Sequence, residues 1–186
     1  MSRPARLIAF SAPSGAGKST ICRKLLERHP EFQLSVSATT RSPRPAERDG
    51  VDYFFLSAAE FANRVDAGDF LEHEEVHGNR YGTLRETVER FLAEGKTVLF
   101  DIDVNGALAI KAAFPESLLI FIMPPDMEAL RARLKDRGSD DDAEIAKRLR
   151  RLPMEVEKGR AFDHTVVNDD LMRAVREIET IIEAGG

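Results

Sequence analysis

The chain has one cysteine, Cys22, and no tryptophan among its 186 residues. A single thiol cannot form an internal disulfide, so the fold is not a disulfide framework of the secreted type. No apolar run approaches the ~20 residues that a membrane-crossing helix needs, and no membrane partner is expected. The first residues show no long apolar stretch followed by a small-residue cleavage site, so a cytoplasmic location is the expectation. Internal repeats and low-complexity tracts are absent. The formal net charge of -5 speaks against the broad basic surface that nucleic acid requires. It leaves room for anionic small molecules, which need positive charge locally rather than in total.

What is present is enough for one substantial core. Hydrophobic residues make up 42% and charged residues 32%, the balance of a soluble globular chain of one domain. Strand-like and helix-like segments alternate. Apolar runs at residues 7–10, 97–100, 118–123 and 165–167 read as strands, and 70–76, which mixes apolar and acidic residues, as another. Helical stripes carry Ile21, Cys22, Leu25 and Leu26, then Leu130 and Leu134 behind a capping Asp126, then Leu171, Val175, Ile178 and Ile182. Two Ser/Thr-x-x-Glu patterns, Ser57 with Glu60 and Thr83 with Glu86, predict capping boxes. Such alternation implies an α/β fold, a parallel sheet with helices on both faces. Residues 35–83 and 137–160 break the rhythm and are expected as insertions over the ligand end of that sheet. Pro153, inside a helical stretch, is expected to kink or interrupt it.

The first strand runs into Ser11-Ala12-Pro13-Ser14-Gly15-Ala16-Gly17-Lys18-Ser19-Thr20. This is the phosphate-binding pattern G-x-x-x-x-G-K-[ST] with Ala12 at its first glycine position. Small residues let backbone N–H groups turn inward around phosphate oxygens, and the helix behind them adds its positive dipole end. Lys18 can reach the outer phosphates of a nucleotide, and the Ser19 hydroxyl can ligate magnesium. Asp101 closes an apolar run as the acidic partner of such a loop does. Asp103 lies two residues on, which on a strand places both on one side. A helix cap is the alternative use of such a residue.

The segment 37–53, Ser-Ala-Thr-Thr-Arg-Ser-Pro-Arg-Pro-Ala-Glu-Arg-Asp-Gly-Val-Asp-Tyr, together with Gly78-Asn79-Arg80-Tyr81-Gly82-Thr83 and Asp101-Ile102-Asp103, closely resembles the guanylate kinases. The resemblance runs from the phosphate loop to Val167-Asn168-Asp169-Asp170. It implies the P-loop NTPase fold, with a core of 1–34, 84–136 and 161–186, a small mixed α/β GMP-binding insertion at about 35–83 and a helical lid at about 137–160. It implies transfer of the γ-phosphate of ATP to GMP, with magnesium. Residues 12–20, Arg133, Arg137 and Asn168 are then expected at ATP. Arg41, Arg44, Tyr53 and Tyr81 are expected at the GMP phosphate, where guanidinium forks and phenol hydroxyls suit a dianion. Ser37, Glu72, Thr83 and Asp103 are expected at the guanine, whose ring N–H and amino group a carboxylate accepts. Lys18, Arg41, Arg137, Arg148 and Asp101 are the expected catalytic set, with Asp101 reaching the metal through a water molecule. Thr83 serves the helix, the base or both.

Arg131, Arg150 and Arg151 are expected only to pair with acidic neighbours on a helix surface. Two other functions share these features: a guanylate-kinase-like binding module without catalysis, and a related kinase acting on a sugar phosphate. The intact phosphate loop and Arg148 oppose the first; Glu72 with Arg41 and Arg44 opposes the second.

Overall fold

The computed structural model describes residues 6–76, 78–136 and 142–185. The first part of the chain forms β1 (Leu7–Ser11), α1 (Lys18–Arg28), β2 (Phe32–Leu34), β3 (Ala38–Thr39), β4 (Phe54–Phe55) and α2 (Ala58–Asp66). Then come β5 (Phe70–Val76), β6 (Asn79–Leu84), α3 (Arg85–Ala93), β7 (Thr97–Asp101), α4 (Val104–Ala113) and β8 (Leu118–Met123). The chain continues through α5 (Met127–Asp136), α6 (Asp142–Gly159), β9 (His164–Val167) and α7 (Leu171–Ala184).

Five strands form one sheet in the order β2-β7-β1-β8-β9, every pairing parallel. Strands buried on both faces must be apolar on both, and these are. Ile8 and Phe10 of β1 point to one side with Ile120 and Ile122 of β8, against Leu25 of α1 and Val175 and Ile178 of α7. Leu7 and Ala9 point to the other, with Phe100, Leu119 and Phe121, against Val88 of α3 and Ala107 and Ile110 of α4. The period-two alternation thus divides one sheet between two cores.

A second sheet, ordered β4-β3-β6-β5, follows a different rule. Its β5–β6 and β3–β6 pairs are antiparallel, and only β3–β4 is parallel. Its core is small: Ala38, Phe61, Phe70 and Leu84, with the Phe61 and Phe70 rings stacked at 4.6 Å. Helix α2 enters it through the expected capping box, in which the Ser57 side chain accepts from the Glu60 N–H and the Glu60 side chain accepts from that of Ser57.

Two local expectations are corrected, and a third in one of its alternatives. Thr83 does not open a capping box: it is still in β6, and the residue before α3 is Leu84, which has no side-chain cap. The β5–β6 ladder outcompetes the Thr-x-x-Glu pattern. Asp103 is not on a strand, because β7 stops at Asp101; its side chain caps α4 by accepting from the Gly106 N–H at 2.8 Å. Pro153 does not interrupt α6, which runs through it for 18 residues. The carbonyl one turn back, that of Leu149, lacks a helical donor for want of the proline N–H. Leu149 and Leu152 pack against Leu130, Leu134 and Ile145, holding α6 to α5 despite that loss. No helix among the described residues is long and apolar enough to cross a membrane.

Candidate functional site

The phosphate loop leaves the C-terminal edge of β1, the central strand, which is where ligands bind in open parallel sheets. Gly15 and Gly17 adopt φ of 92° and 95°, the left-handed region in which a side chain is strained. The turn closes through an Ala16 N–H donated to the Pro13 carbonyl at 3.0 Å. A brace holds it from behind. The buried Asn168 amide donates to the Ala16 carbonyl at 2.8 Å, Arg133 Nη1 donates to the same carbonyl at 3.3 Å, and Arg133 Nη2 donates to the Asn168 carbonyl at 2.9 Å.

Lys18, the first residue of α1, lies across the top of β7. Its Nζ stands 2.7 Å from Asp101 Oδ1 and donates to the Ile102 carbonyl at 2.6 Å. Burial works against the charged amine, but the Asp101 carboxylate more than offsets it and holds the Lys18 pKa above its ordinary value.

The second sheet faces this loop with a different chemistry. Glu72 of β5 and Thr83 of β6 are register partners, and Thr83 Oγ1 donates to Glu72 Oε1 at 2.5 Å. The first turn of α4 presses on the same carboxylate: a Cβ on Gly106 would meet Glu72 Oε2 at 2.8 Å. Burial pushes Glu72 up to about 7; the Thr83 hydrogen bond pulls the other way, and Asp103 adds repulsion. Arg41 is held rather than loose. Its Nη2 donates to both oxygens of Glu47 at 2.8 and 2.9 Å, its Nη1 donates to the Ser42 carbonyl at 2.7 Å, and its Cζ lies 5.3 Å from the centre of the Tyr53 ring. Tyr53 and Tyr81 meet edge to face at 6.0 Å. Burial raises the Tyr53 pKa, which keeps its hydroxyl a donor.

One cavity is walled by both halves. Residues 12–15 and 17–19 line it from the phosphate loop, Asp101 and Asp103 from the end of the main sheet, and Ser37, Arg41, Arg44, Tyr53, Glu72 and Tyr81 from the second sheet and its loop. Helix α6 adds Arg148 and Glu155. Arg148 Nη1 donates to Ser14 Oγ at 3.0 Å, so this helix already touches the phosphate loop. Ala16, Thr20, Thr83, Arg133 and Asn168 are not on the cavity wall. Of these, Thr83 bears on it through Glu72, and Ala16, Arg133 and Asn168 shape the phosphate loop from behind. Arg137 lies outside the described residues.

Three participants escape the sequence reading. Glu47 clamps Arg41; Glu155 lines the cavity; and Arg151 is half-buried between Asp103 and Glu155 rather than on a solvated surface. The spacing of four between Arg151 and Glu155 signals that they pair, but not that their face turns inward. Burial raises the Glu155 pKa against the pull of Arg151.

Known proteins resemble this chain along nearly its whole length. A family model described as guanylate kinase matches residues 4–185. A guanylate kinase of Symbiobacterium thermophilum is 48% identical over 178 residues, covering 96% of this chain and 84% of that protein. One of Chlorobium chlorochromatii is 50% identical over 178 residues, covering 95% and 94%. The crystal structure of guanylate kinase from Anaplasma phagocytophilum superposes with a TM-score of 0.82 at 34% identity, covering 99% of this chain and 87% of that one.

Proposed function

The chain belongs to the guanylate kinase family and is an ATP:GMP phosphotransferase, and from that premise we propose how its residues divide the work. The observation that carries the assignment is the shared cavity, with the Lys18–Asp101 pair on one wall and the half-buried Glu72, backed by the buried Thr83, on another.

ATP lies on the phosphate loop, residues 12–20, with the loop held in shape by Arg133 and Asn168. Lys18 and Arg148 direct their charge at the phosphoryl group in transit, joined by Arg137. Phosphoryl transfer leaves little covalent work to the protein, so positioned positive charge is the main lever. GMP enters with its phosphate toward Arg41, Arg44, Tyr53 and Tyr81 and its base toward Ser37, Glu72, Thr83 and Asp103. Ionised Glu72 accepts from the guanine ring N–H and amino group. An oxygen of the GMP phosphate attacks the γ-phosphorus of ATP, the bond to the bridging oxygen breaks, and ADP leaves with GDP formed. The attacking oxygen is already ionised at neutral pH, so no general base is required.

A magnesium ion fits the donors present. Ser19 lines the cavity beside the loop and Asp101 offers a carboxylate within reach, and oxygen donors suit a hard cation. No cluster of three His, Cys, Asp or Glu that could cage a metal occurs among the described residues. The ion would therefore be held by Ser19, by Asp101 through water and by the nucleotide phosphates, where it would neutralise their charge. The division into a core, a GMP-binding insertion at about 35–83 and a lid at about 137–160, and a cytoplasmic location, belong to the same reading.

The test is a coupled assay offering GMP, AMP, UMP and dTMP with ATP and magnesium, on the wild type and Glu72→Gln. Glu72→Gln should shrink the GMP/AMP ratio of kcat/KM, because a site built around paired polar groups can discriminate by ~10⁴–10⁵. An unchanged ratio would remove Glu72 as the reader of the base.

A further inference from the structure

One face of α6 is bolted to the start of α4. Arg151, Glu155 and Lys158 recur at intervals of four and three, which places them on a single stripe of the helix. Arg151 Nη2 stands 3.7 Å from Asp103 Oδ2, and its Nε stands 3.7 Å from Glu155 Oε1. One turn further on, the Lys158 amine donates to Asn105 Oδ1. The same helix carries Arg148, three residues before Arg151, on the phosphate loop at Ser14. A single rigid element therefore touches the ATP end through Arg148 and the cap of α4, which borders the GMP end, through Arg151.

The contact at Arg151 is incomplete. Asp103 Oδ1 accepts from Gly106, while Asp103 Oδ2 and Arg151 Nε are buried with no protein hydrogen-bond partner. Buried polar groups without partners are rare because each is costly. Both orphans lie in ion pairs at 3.7 Å, and an inward shift of α6 by about 1 Å would bring Arg151 to hydrogen-bond length from Asp103, while the Arg151–Glu155 pair, within α6, closes by side-chain adjustment alone. Charge is concentrated at this contact. Glu72, Asp103 and Glu155 crowd one region, as shown by the Asp103 repulsion felt by both Glu72 and Glu155. Arg151 is the cation paired with two of the three.

We infer that Arg151 is a positioning residue that couples the two substrate ends: it sets the Asp103 carboxylate at the guanine and, through the rigid turn of α6, fixes Arg148 over the phosphate loop when GMP is bound. This rests on the assignment of Glu72 and Asp103 to the base. Arg151 acts through Asp103 and does not itself touch a reacting atom. Substituting it should thus raise KM for GMP through Asp103 and lower kcat through Arg148, while KM for ATP, whose phosphates stay on the loop of residues 12–20, changes little.

Steady-state kinetics of the full chain with each substrate varied would test this, on Arg151→Met, Arg151→Lys, Glu155→Gln and Glu72→Gln. Arg151→Met should raise KM for GMP by about tenfold, the effect of losing one charge-assisted contact, with KM for ATP within about twofold of wild type. Arg151→Lys should recover at least half of the loss on a logarithmic scale, since charge is kept and only the fork is lost. Arg151→Met combined with Glu155→Gln should cost less than the sum of the two, as partners in one network do. Equal rises in both KM values, unaltered GMP kinetics in Arg151→Met, or no recovery by lysine would overturn the coupling. Wild-type GMP kinetics in Glu72→Gln would overturn the base assignment instead. The thermal midpoint of each variant, measured alongside, keeps unfolding apart from either result.

Discussion

Thr83 Oγ1 and Glu72 Oε1 stand 2.5 Å apart across the β5–β6 pair, and this one contact joins a strand register to a titration. Glu72 is pushed up to about 7, so near neutral pH it is divided between the proton and the charge. Guanine requires the charged form. KM for GMP should fall by about tenfold between pH 6 and pH 8 as that form comes to dominate. Since the GMP phosphate also titrates, the reference is Glu72→Gln, in which the Glu72 part of the pH dependence disappears. A profile identical in wild type and mutant would show that Glu72 does not titrate in this range.

The same shift has a stability signature of known sign. A carboxyl at 4.5 in the unfolded chain and about 7 when folded binds more protons folded than unfolded between those values. Stability without nucleotide should therefore fall as pH rises from about 4.5 to about 7, then level off, with a total on the order of 3 kcal/mol. Glu72→Gln abolishes this contribution. Its thermal midpoint relative to wild type should rise on going from pH 5 to pH 8, and a flat difference would contradict a desolvation of the carboxylate that Thr83 offsets only in part.

Lys18→Ala removes the amine that Asp101 holds at 2.7 Å. Turnover should drop by at least ~10²-fold, the scale of losing one preorganised charge at the developing transition state. Single-turnover measurements on pure protein decide it, and near-wild-type rates would remove Lys18 from the chemistry.

Glu47→Ala tests whether the clamp on Arg41 prepares it for a phosphate. The glutamate fixes the guanidinium through two hydrogen bonds at 2.8 and 2.9 Å, and burial of Glu47 is outweighed by those bonds and by the Arg44 N–H, leaving its pKa below the ordinary range. Without it, Arg41 should lose orientation and KM for GMP should rise by about three- to tenfold, one charge-assisted contact made less often. Titration of GMP by calorimetry gives the same quantity free of turnover.

Much of this molecule could be read before its coordinates. Strands at 70–76 and 118–123 match β5 and β8 residue for residue, because an apolar or alternating run between turn signals leaves few other options. Most residues on the cavity wall came from the phosphate-loop pattern and from a family resemblance, and Glu155 did not. What stayed hidden is tertiary. β2, β3 and β4 are two or three residues long, too short for any periodicity, and exist only because neighbouring strands supply their partners. Thr83 obeys the rule for a helix cap and is overridden by a ladder. Arg151 and Glu155 look like a surface pair because a spacing of four is the same whether a helix faces water or α4.

Two cations of this cavity carry counterions before any ligand arrives. On the cavity wall Lys18 is matched by Asp101 and Arg41 by Glu47, and behind it Arg151 is matched by Asp103 and Glu155. Nucleotide binding at Lys18 and Arg41 is then an exchange of counterions: a phosphate displaces or shares a carboxylate already in place. Mutual repulsion among the basic groups is cancelled before any ligand arrives, so the ligand-free protein is spared its cost. The same cancellation means that dissolved salt has little left to screen, and substrate affinity should depend on ionic strength far less than a count of lysines and arginines would suggest.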